Sequence, residues 1–453
     1  MYCRCTVVNY LYFYRLSRDY GPVVDFFVLF HRIVLISSPA DVKEILLRRP
    51  KVFRRGLSTH KILSIIGMKE SIFIAEGTEW MKHRKLVGPP FSRKNITSMF
   101  DTVLDEVDRF IESLVPYAEK NETVDMIFPV SALTIRVIGK KAFGLEEKDD
   151  SYFFSDAFFN DLQTMQALFF QKTSMPIPDF LWNLLPRYKY KVGADEALIR
   201  IEKCASGIIK KALNAKTDAK NLTPLQHVLI HHLLAAKELT NAEIIGDLIV
   251  FFIGGVDTTT FGTNWTLYFL LLHPEVLAAA REEADSVDFS LVSSADAAKR
   301  LRFCHACFYE ALRLRGPFFI IDHALVSTRE SFTLASGVEL FPSDDIYVHL
   351  DAAKLDPILF ENPKSFNPSR WLIADEEKLS SMRAIANLTW GSGPRICPGM
   401  DLAQAEGTFA IAKLLRSFTF ELDCPVSEIE RTTLALAVIS KLPLKLRLRK
   451  GAS

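Results

Sequence analysis

The spacing of apolar positions changes character along the chain. Val23 to Leu29 and Ile33 to Ile36 are short β-branched and apolar runs parted by Phe30-His31-Arg32, and they predict a hairpin. Pro39 then opens a helix through Arg49, with Asp41 in its first turn. From about Phe91 to Leu272 the apolar residues keep mostly helical spacing. Breaks fall at Asn121, at Pro176, Pro178 and Pro186, and between Asp218 and Pro224. Beyond Gly316, short Val, Ile and Leu runs alternate with Pro, Asp, Gly and Ser, which predicts strands joined by ordered loops. Leu444 to Arg449 alternates apolar and basic residues, as a terminal strand with one wet face would. The expected class is α+β, mainly α with small β-sheets.

The strongest helical signal runs from Thr240 to His273. Thr240 and Glu243 form a capping box, Pro274 stops the helix, and at 1.5 Å per residue it would extend ~50 Å. Ile244, Ile245, Leu248, Ile249, Val250, Phe251, Phe252 and Ile253 make it apolar nearly all round, so it is buried in a large core or in a bilayer. Asp247, Asp257 and Asn264 would be costly near the middle of a membrane, which favours a buried central helix. Gly254-Gly255-Val256-Asp257-Thr258-Thr259-Thr260 interrupts its middle. Glycines weaken a helix, threonine hydroxyls compete for its carbonyls, and a widened groove would result. A buried acid beside an alcohol can relay protons; equally, the glycines could serve close packing, with Asp257 held in a salt bridge.

At 453 residues the chain is long enough for about three domains. Lys and Arg number 55 against 54 Asp and Glu, so no sequence-wide basic field exists to hold nucleic acid. Hydrophobic residues at 49% and charged ones at 24% exclude disorder and permit a large core. The 34 phenylalanines, against 12 tyrosines and 5 tryptophans, need an apolar place to go. The seven scattered cysteines are unlike a secreted disulfide framework and point to a reducing compartment. Thr6 to Tyr14 is far short of a spanning helix, and no cleavage pattern of a signal peptide follows it. There is no internal repeat and no phosphate-cradling GxGxxG.

The segment that carries chemistry is Trp390-Gly391-Ser392-Gly393-Pro394-Arg395-Ile396-Cys397-Pro398-Gly399, followed by a helix from Met400 to Phe418. It presents one cysteine at the mouth of a helix, where peptide N–H groups favour a thiolate, and an anionic sulfur is a strong iron ligand. Gly393 and Gly399 would let backbone approach a flat macrocycle, and Arg395 could neutralise a carboxylate such as a haem propionate. Cys304-His305-Ala306-Cys307 has too few ligands for a zinc site and falls on the helix that carries Glu310. Glu310 and Arg313, flanked by Phe308, Leu312 and Leu314, read as a buried charged pair that needs a further donor such as Arg370.

With these residues in view, the loop resembles the haem-thiolate signature of cytochromes P450, FxxGxRxCxG, with Trp390 in place of the usual Phe. Glu310-Ala311-Leu312-Arg313 matches the family's ExxR, and Phe366-Asn367-Pro368-Ser369-Arg370-Trp371 resembles the segment whose Arg completes a Glu-Arg-Arg cluster. Gly255-Val256-Asp257-Thr258-Thr259 matches the oxygen-activation motif, and Trp80-Met81-Lys82-His83-Arg84 matches WxxxR. The resemblance implies one P450 domain over 1–453, with haem between the long central helix and the Cys-loop helix. It implies haem b held by Cys397, with Trp80, Arg84, Trp390, Gly393, Arg395 and Gly399 around it, Glu310, Arg313 and Arg370 as scaffold, and Asp257 and Thr258 delivering protons to dioxygen. It implies a monooxygenase acting on a lipophilic fatty acid, sterol or xenobiotic, fed by an NADPH-cytochrome P450 reductase and by cytochrome b5. Two alternatives stand beside it: an isomerase or dehydratase of hydroperoxides needing neither oxygen nor reductase, and a non-catalytic haem protein. Lys61 to Phe73, Phe319 to His323 and Leu434 to Ile439 are expected to line the pocket. Phe153, Phe154, Phe158, Phe159, Phe169 and Phe170 are expected near the route of lipophilic substrates and a peripheral membrane contact, with ordinary packing as the other reading. The anchor helix and proline-rich hinge usual before Arg18-Asp19-Tyr20-Gly21-Pro22 are not in the sequence. The expected location is the cytosolic face of the endoplasmic reticulum, or the cytoplasm if the N-terminus is complete.

Overall fold

A computed structural model of the chain describes residues 13–28, 31–174, 189–215, 229–235, 237–318, 320–432 and 439–449. The expected breaks at 176–186 and 218–224, and positions 319 and 434–438 of the expected pocket lining, lie outside these residues. The backbone is mainly helical with three small sheets, as the α+β reading requires. Contacts divide the chain into two compact units, one of residues 1–57, 100–130 and 259–453, the other of 58–99 and 131–258.

The first unit holds the strands β1 (Val23–Val28), β2 (His31–Ile36), β3 (Phe53–Arg55), β4 (Thr123–Asp125), β5 (Ile320–Leu325), β6 (Phe332–Thr333), β7 (Glu339–Leu340), β8 (Asp345–His349), β9 (Phe418–Leu422) and β10 (Pro443–Leu448). The larger sheet runs β1-β2-β8-β5-β3. Its hairpin pairs Val23 with Ile36 and Val28 with His31, so the second strand starts two residues earlier than the apolar run suggested. Arg32 belongs in the strand because its guanidinium donates to the buried Asp344 carboxylate at 2.9 Å. The helix Pro39–Leu47 is capped by Ser38, whose Oγ accepts from the Asp41 N–H. It turns Val42, Ile45 and Leu46 into a core shared with Val34, Ile36, Ile346, Val348 and Trp371. Each such aliphatic side chain contributes about 1.5–3 kcal/mol on full burial. In β10, Leu444 and Leu446 are buried while Arg447 is exposed and bridges Glu421, the wet and dry faces expected of that alternation.

The helix Met400–Ser417 is buried along most of its length and carries Glu406 into the core with no partner at Oε1. Burial pushes the Glu406 carboxyl up to about 8. Because the folded value is raised, Glu406 is compatible with the fold below the usual carboxylate range, and stability is lost as pH rises through about 8. Glu406→Gln is therefore expected to raise the melting temperature at pH above about 8 and to change it little near pH 4. Thermal melts of the two proteins across that range check this.

The second unit is helical among its described residues. Phe143, Phe153, Phe158 and Phe252 form one aromatic cluster, with centroids of Phe153 and Phe158 4.7 Å apart and of Phe143 and Phe252 5.2 Å apart. Phe153, Phe158 and Phe159 are buried, so for these three the packing reading holds over the substrate-route reading. The side chains of Phe169 and Phe170 lie outside the described residues. Arg200, in the helix Lys189–Ala215, forks onto Asp161 at 2.7 Å through both Nε and Nη2, and the Tyr152 hydroxyl donates to the same carboxylate.

The long helix is continuous over Asn241–Leu272, belonging to the second unit through Thr258 and to the first from Thr259. Thr240 caps it as expected: its N–H donates to Glu243 Oε2 at 2.7 Å and its Oγ1 accepts from the Glu243 N–H at 3.2 Å. By length and composition it could cross a membrane, yet 67% of its most apolar window is buried inside the protein, which marks it as a core helix.

Candidate active site

In the first unit the cysteine loop is built from two left-handed glycines. Gly391 has φ of 81° and Gly393 of 63°, conformations closed to most side chains. The turn they permit brings the Cys397 N–H onto the Trp390 carbonyl at 2.7 Å, and the Ile396 N–H onto Gly393 at 3.2 Å. Cys397 is half-buried and in no disulfide. The helix Met400–Ser417 starts immediately after it, with Gly399 as an N-cap that offers no side chain to the first N–H groups. A Cβ on Gly399 would meet only the Cys397 sulfur, at 3.9 Å. The other described cysteines are unsuited to supply a thiolate. Burial pushes the thiols of Cys204, Cys304 and Cys307 up, and burial together with Glu428 does so for Cys424. Among the described residues no group of His, Cys, Asp and Glu could hold a metal ion, and Cys304 and Cys307 are core thiols.

The acid–arginine pair sits on the helix Arg302–Leu314. Glu310 and Arg313 are fully buried, and Glu310 receives Arg313 Nε at 2.9 Å and Nη2 at 2.8 Å. Arg370 Nε adds a third donor at 2.9 Å, Trp371 Nε1 a fourth at 2.9 Å, and the Asn367 N–H a fifth at 3.2 Å. The expected cluster therefore forms, with an indole the sequence reading did not assign. Lys354 was also missed. Fully buried, its Nζ donates to the Leu312 carbonyl at 3.2 Å and to Thr389 Oγ1 at 2.8 Å, and pairs with Asp351 at 2.9 Å. It links the end of the acid–arginine helix to the residue before Trp390. Asp351 is one helical turn away, but Leu312 and Thr389 lie 42 and 35 positions away, so no local pattern could reveal those two.

In the second unit Trp80 and Arg84 share the helix Gly77–Val87, with Trp80 buried and Arg84 half-buried. His83, between them, is buried, and its Nδ1 lies 2.7 Å from Asp247 Oδ2 on the long helix. Asp247 Oδ1 accepts the Ile72 N–H at 2.6 Å, so one carboxylate holds both this helix and the segment before it. Asp257 is buried and makes no ion pair among the described residues; Gln163 Nε2 donates to its Oδ1 at 2.9 Å. The salt-bridge half of the packing alternative thus fails, while its close-packing half holds at Gly255, where a Cβ would meet Ile138 at 3.0 Å. Thr258 Oγ1 donates to the Gly254 carbonyl at 2.6 Å, the expected competition for a helix carbonyl. It does not break the helix, because the hydroxyl joins the ladder at i−4. Gly254 is exposed in mid-helix, and a Cβ there would meet nothing within 4 Å.

A sequence model of the cytochrome P450 family matches residues 7–448 of this chain. The chain belongs to the cytochrome P450 family. Among curated proteins this P450 is 25% identical to the protein LUTEIN DEFICIENT 5, chloroplastic, of Arabidopsis thaliana, over 93% of this chain and 71% of that one. It is 26% identical to the putative cytochrome P450 CYP13A5 of Caenorhabditis elegans, over 89% of this chain and 82% of the other. It is 25% identical to the carotene epsilon-monooxygenase, chloroplastic, of Arabidopsis thaliana, over 94% and 79%. As a P450 it is a monooxygenase of the haem-thiolate type that uses O2, a lipophilic substrate and a redox partner.

The residues of this P450 fit a haem. The donor set of the loop is one cysteine sulfur at an uncapped helix start, which suits iron and no multi-ligand metal. The bare Cα of Gly399 beside that sulfur gives a flat ring room to approach.

Proposed function

We propose that this P450 inserts one oxygen atom of O2 into an apolar small molecule of the fatty acid, sterol or xenobiotic class, and that the whole chain works as one P450 domain. Haem b, when bound, supplies oxygen activation. Cys397 is its iron ligand, and a half-buried cysteine outside any disulfide, just ahead of an uncapped helix, is the observation that carries this. The Cys397 N–H on the Trp390 carbonyl fixes the direction of the sulfur. Arg395, Trp80 and Arg84 would bind the propionates, Gly399 keeps a side chain away from the ring, Gly393 instead faces the Leu46 and Leu47 backbone, which a Cβ would meet at 3.4–3.5 Å, and Glu310, Arg313 and Arg370 hold the scaffold. Asp257 stores a proton and Thr258 passes it on. Burial pushes the Asp257 carboxyl well above the usual carboxylate range, which favours its protonated form and lets it store a proton. An acid and alcohol placed together favour oxygen-dependent chemistry over hydroperoxide isomerisation, which has no use for them.

Electrons come from a separate NADPH-cytochrome P450 reductase, assisted by cytochrome b5. Titration of the haem-loaded protein with fatty acids, sterols, aromatic xenobiotics and a carotene, followed by the spin state of the iron, should find a class that shifts it. Product from that compound should then require both NADPH and reductase; turnover of a hydroperoxide without either would overturn the reading. Thr258→Ala is expected to raise the share of reductant lost as peroxide, since the proton then arrives out of place; a peroxide assay measures it. The same reading places the enzyme at a membrane surface, the cytosolic face of the endoplasmic reticulum, where apolar substrates collect. A tagged full-length chain should follow a marker of that membrane, and a plastid distribution would overturn the placement.

A further inference from the structure

Asp257 is 2% exposed, and its two oxygens have unlike surroundings. Oδ1 accepts from Gln163 Nε2 at 2.9 Å, whereas Oδ2 is buried with no hydrogen-bond partner among the described residues. Gln163 reaches it from the helix Asp156–Ser174, 94 positions earlier in the chain. The nature of this partner matters. A lysine or arginine there would stabilise the carboxylate and keep it ionised. An amide is neutral, so it satisfies one oxygen while burial still governs protonation, and burial favours the acid. In a protonated carboxyl group one oxygen is the carbonyl acceptor and the other carries the hydrogen. An N–H donor on Oδ1 marks that oxygen as the acceptor.

We propose that Gln163 is a positioning residue for proton delivery: it clamps Oδ1 of Asp257 as the carbonyl oxygen and confines the deliverable proton to Oδ2. This deepens the reading of Asp257 as the proton-storing acid and rests on it. When the proton passes to the Thr258 hydroxyl, which gives its own proton onward, the Oδ2–H bond breaks, its electron pair stays on the carboxylate, and a solvent proton restores the acid. Throughout, Gln163 keeps donating to Oδ1, so the transient anion is never without a hydrogen bond in the core.

Infrared spectroscopy of the resting haem-loaded protein, with deuterium exchange to pick out protonated carboxyl groups, tests the clamp without turnover. A protonated-carboxyl band at neutral pH should vanish in Asp257→Asn. In Gln163→Met, which keeps the side-chain length and loses the donor, the band should stay but move to higher frequency, because its carbonyl has lost a hydrogen bond. In Gln163→Lys it should disappear as the new cation ionises Asp257. With purified reductase, the Gln163→Met protein should also couple reductant to product about fivefold less well, the worth of one hydrogen bond. The carbon monoxide spectrum of each variant confirms that it is folded with haem bound. A band unchanged in Gln163→Met, or no Asp257-dependent band at all, would overturn the clamp. If instead the band behaves as stated but Asp257→Asn couples normally, the relay reading fails, and with it the role of the clamp in delivery.

Discussion

Replacing Glu310 with alanine is expected to cost about 3–5 kcal/mol of folding stability, the range for removing one partner of a buried ion cluster. The loss is large because it strands two guanidinium groups at once. Arg313 is fully buried and Arg370 nearly so, and their Nε atoms both lie 2.9 Å from Glu310. Trp371 and the Asn367 N–H would lose their acceptor as well. Set against a typical total of about 5–15 kcal/mol, this removes between roughly a fifth of the stability and all of it. Glu310→Gln keeps an oxygen for the indole but not the charge, and should fall between alanine and the native protein. Urea unfolding of the three proteins gives the order; a loss below about 1 kcal/mol for alanine would mean that the arginines find other partners.

The second large effect is on rate. Asp257→Asn is expected to slow product formation by about a hundredfold or more, the scale of a general acid, while leaving the fold intact. Asparagine has the shape of the neutral acid and offers Gln163 the same acceptor at the atom that now receives its Nε2. Stability should hold or rise. The folded acid has its pKa raised by burial, so the native protein keeps the full benefit only below the usual carboxylate range and loses it as pH rises. The variant, having nothing to ionise, escapes that loss. Product assays at saturating reductase, beside thermal melts at two pH values, separate the two effects. A variant that turned over normally would show that another group supplies the proton.

These contrasts explain what was legible in the sequence. The cysteine loop was, because its chemistry is packed into ten consecutive residues whose glycine spacing dictates the turn. The long helix and its capping box were, because capping and apolar spacing are local. The pair Glu310 and Arg313 lies three residues apart, one turn of helix, and Arg370 was found through its own short motif. Gln163 was not legible, since a lone glutamine in a helical run carries no signal until the fold sets it against Asp257. The same holds for Lys354, an ordinary lysine in sequence whose burial only the fold reveals. Asp247 was weighed only as a cost in a bilayer, and its partners, His83 and the Ile72 N–H, are again distant in the chain. The phenylalanines left two readings open, a route for lipophilic molecules and ordinary packing, and Phe153 and Phe158 take the second, filling the core against Phe143 and Phe252. Composition counts apolar area and cannot say which side of the wall it faces.

The central claim is that Cys397 binds the haem iron as a thiolate, and the absorption spectrum of the reduced protein under carbon monoxide tests it most directly. The account predicts the strongly red-shifted Soret band of thiolate ligation, kept when Cys304 and Cys307 are both changed to serine and lost in Cys397→Ser. An unshifted, histidine-like band from well-folded native protein, or a red-shifted band that survives Cys397→Ser, would contradict it.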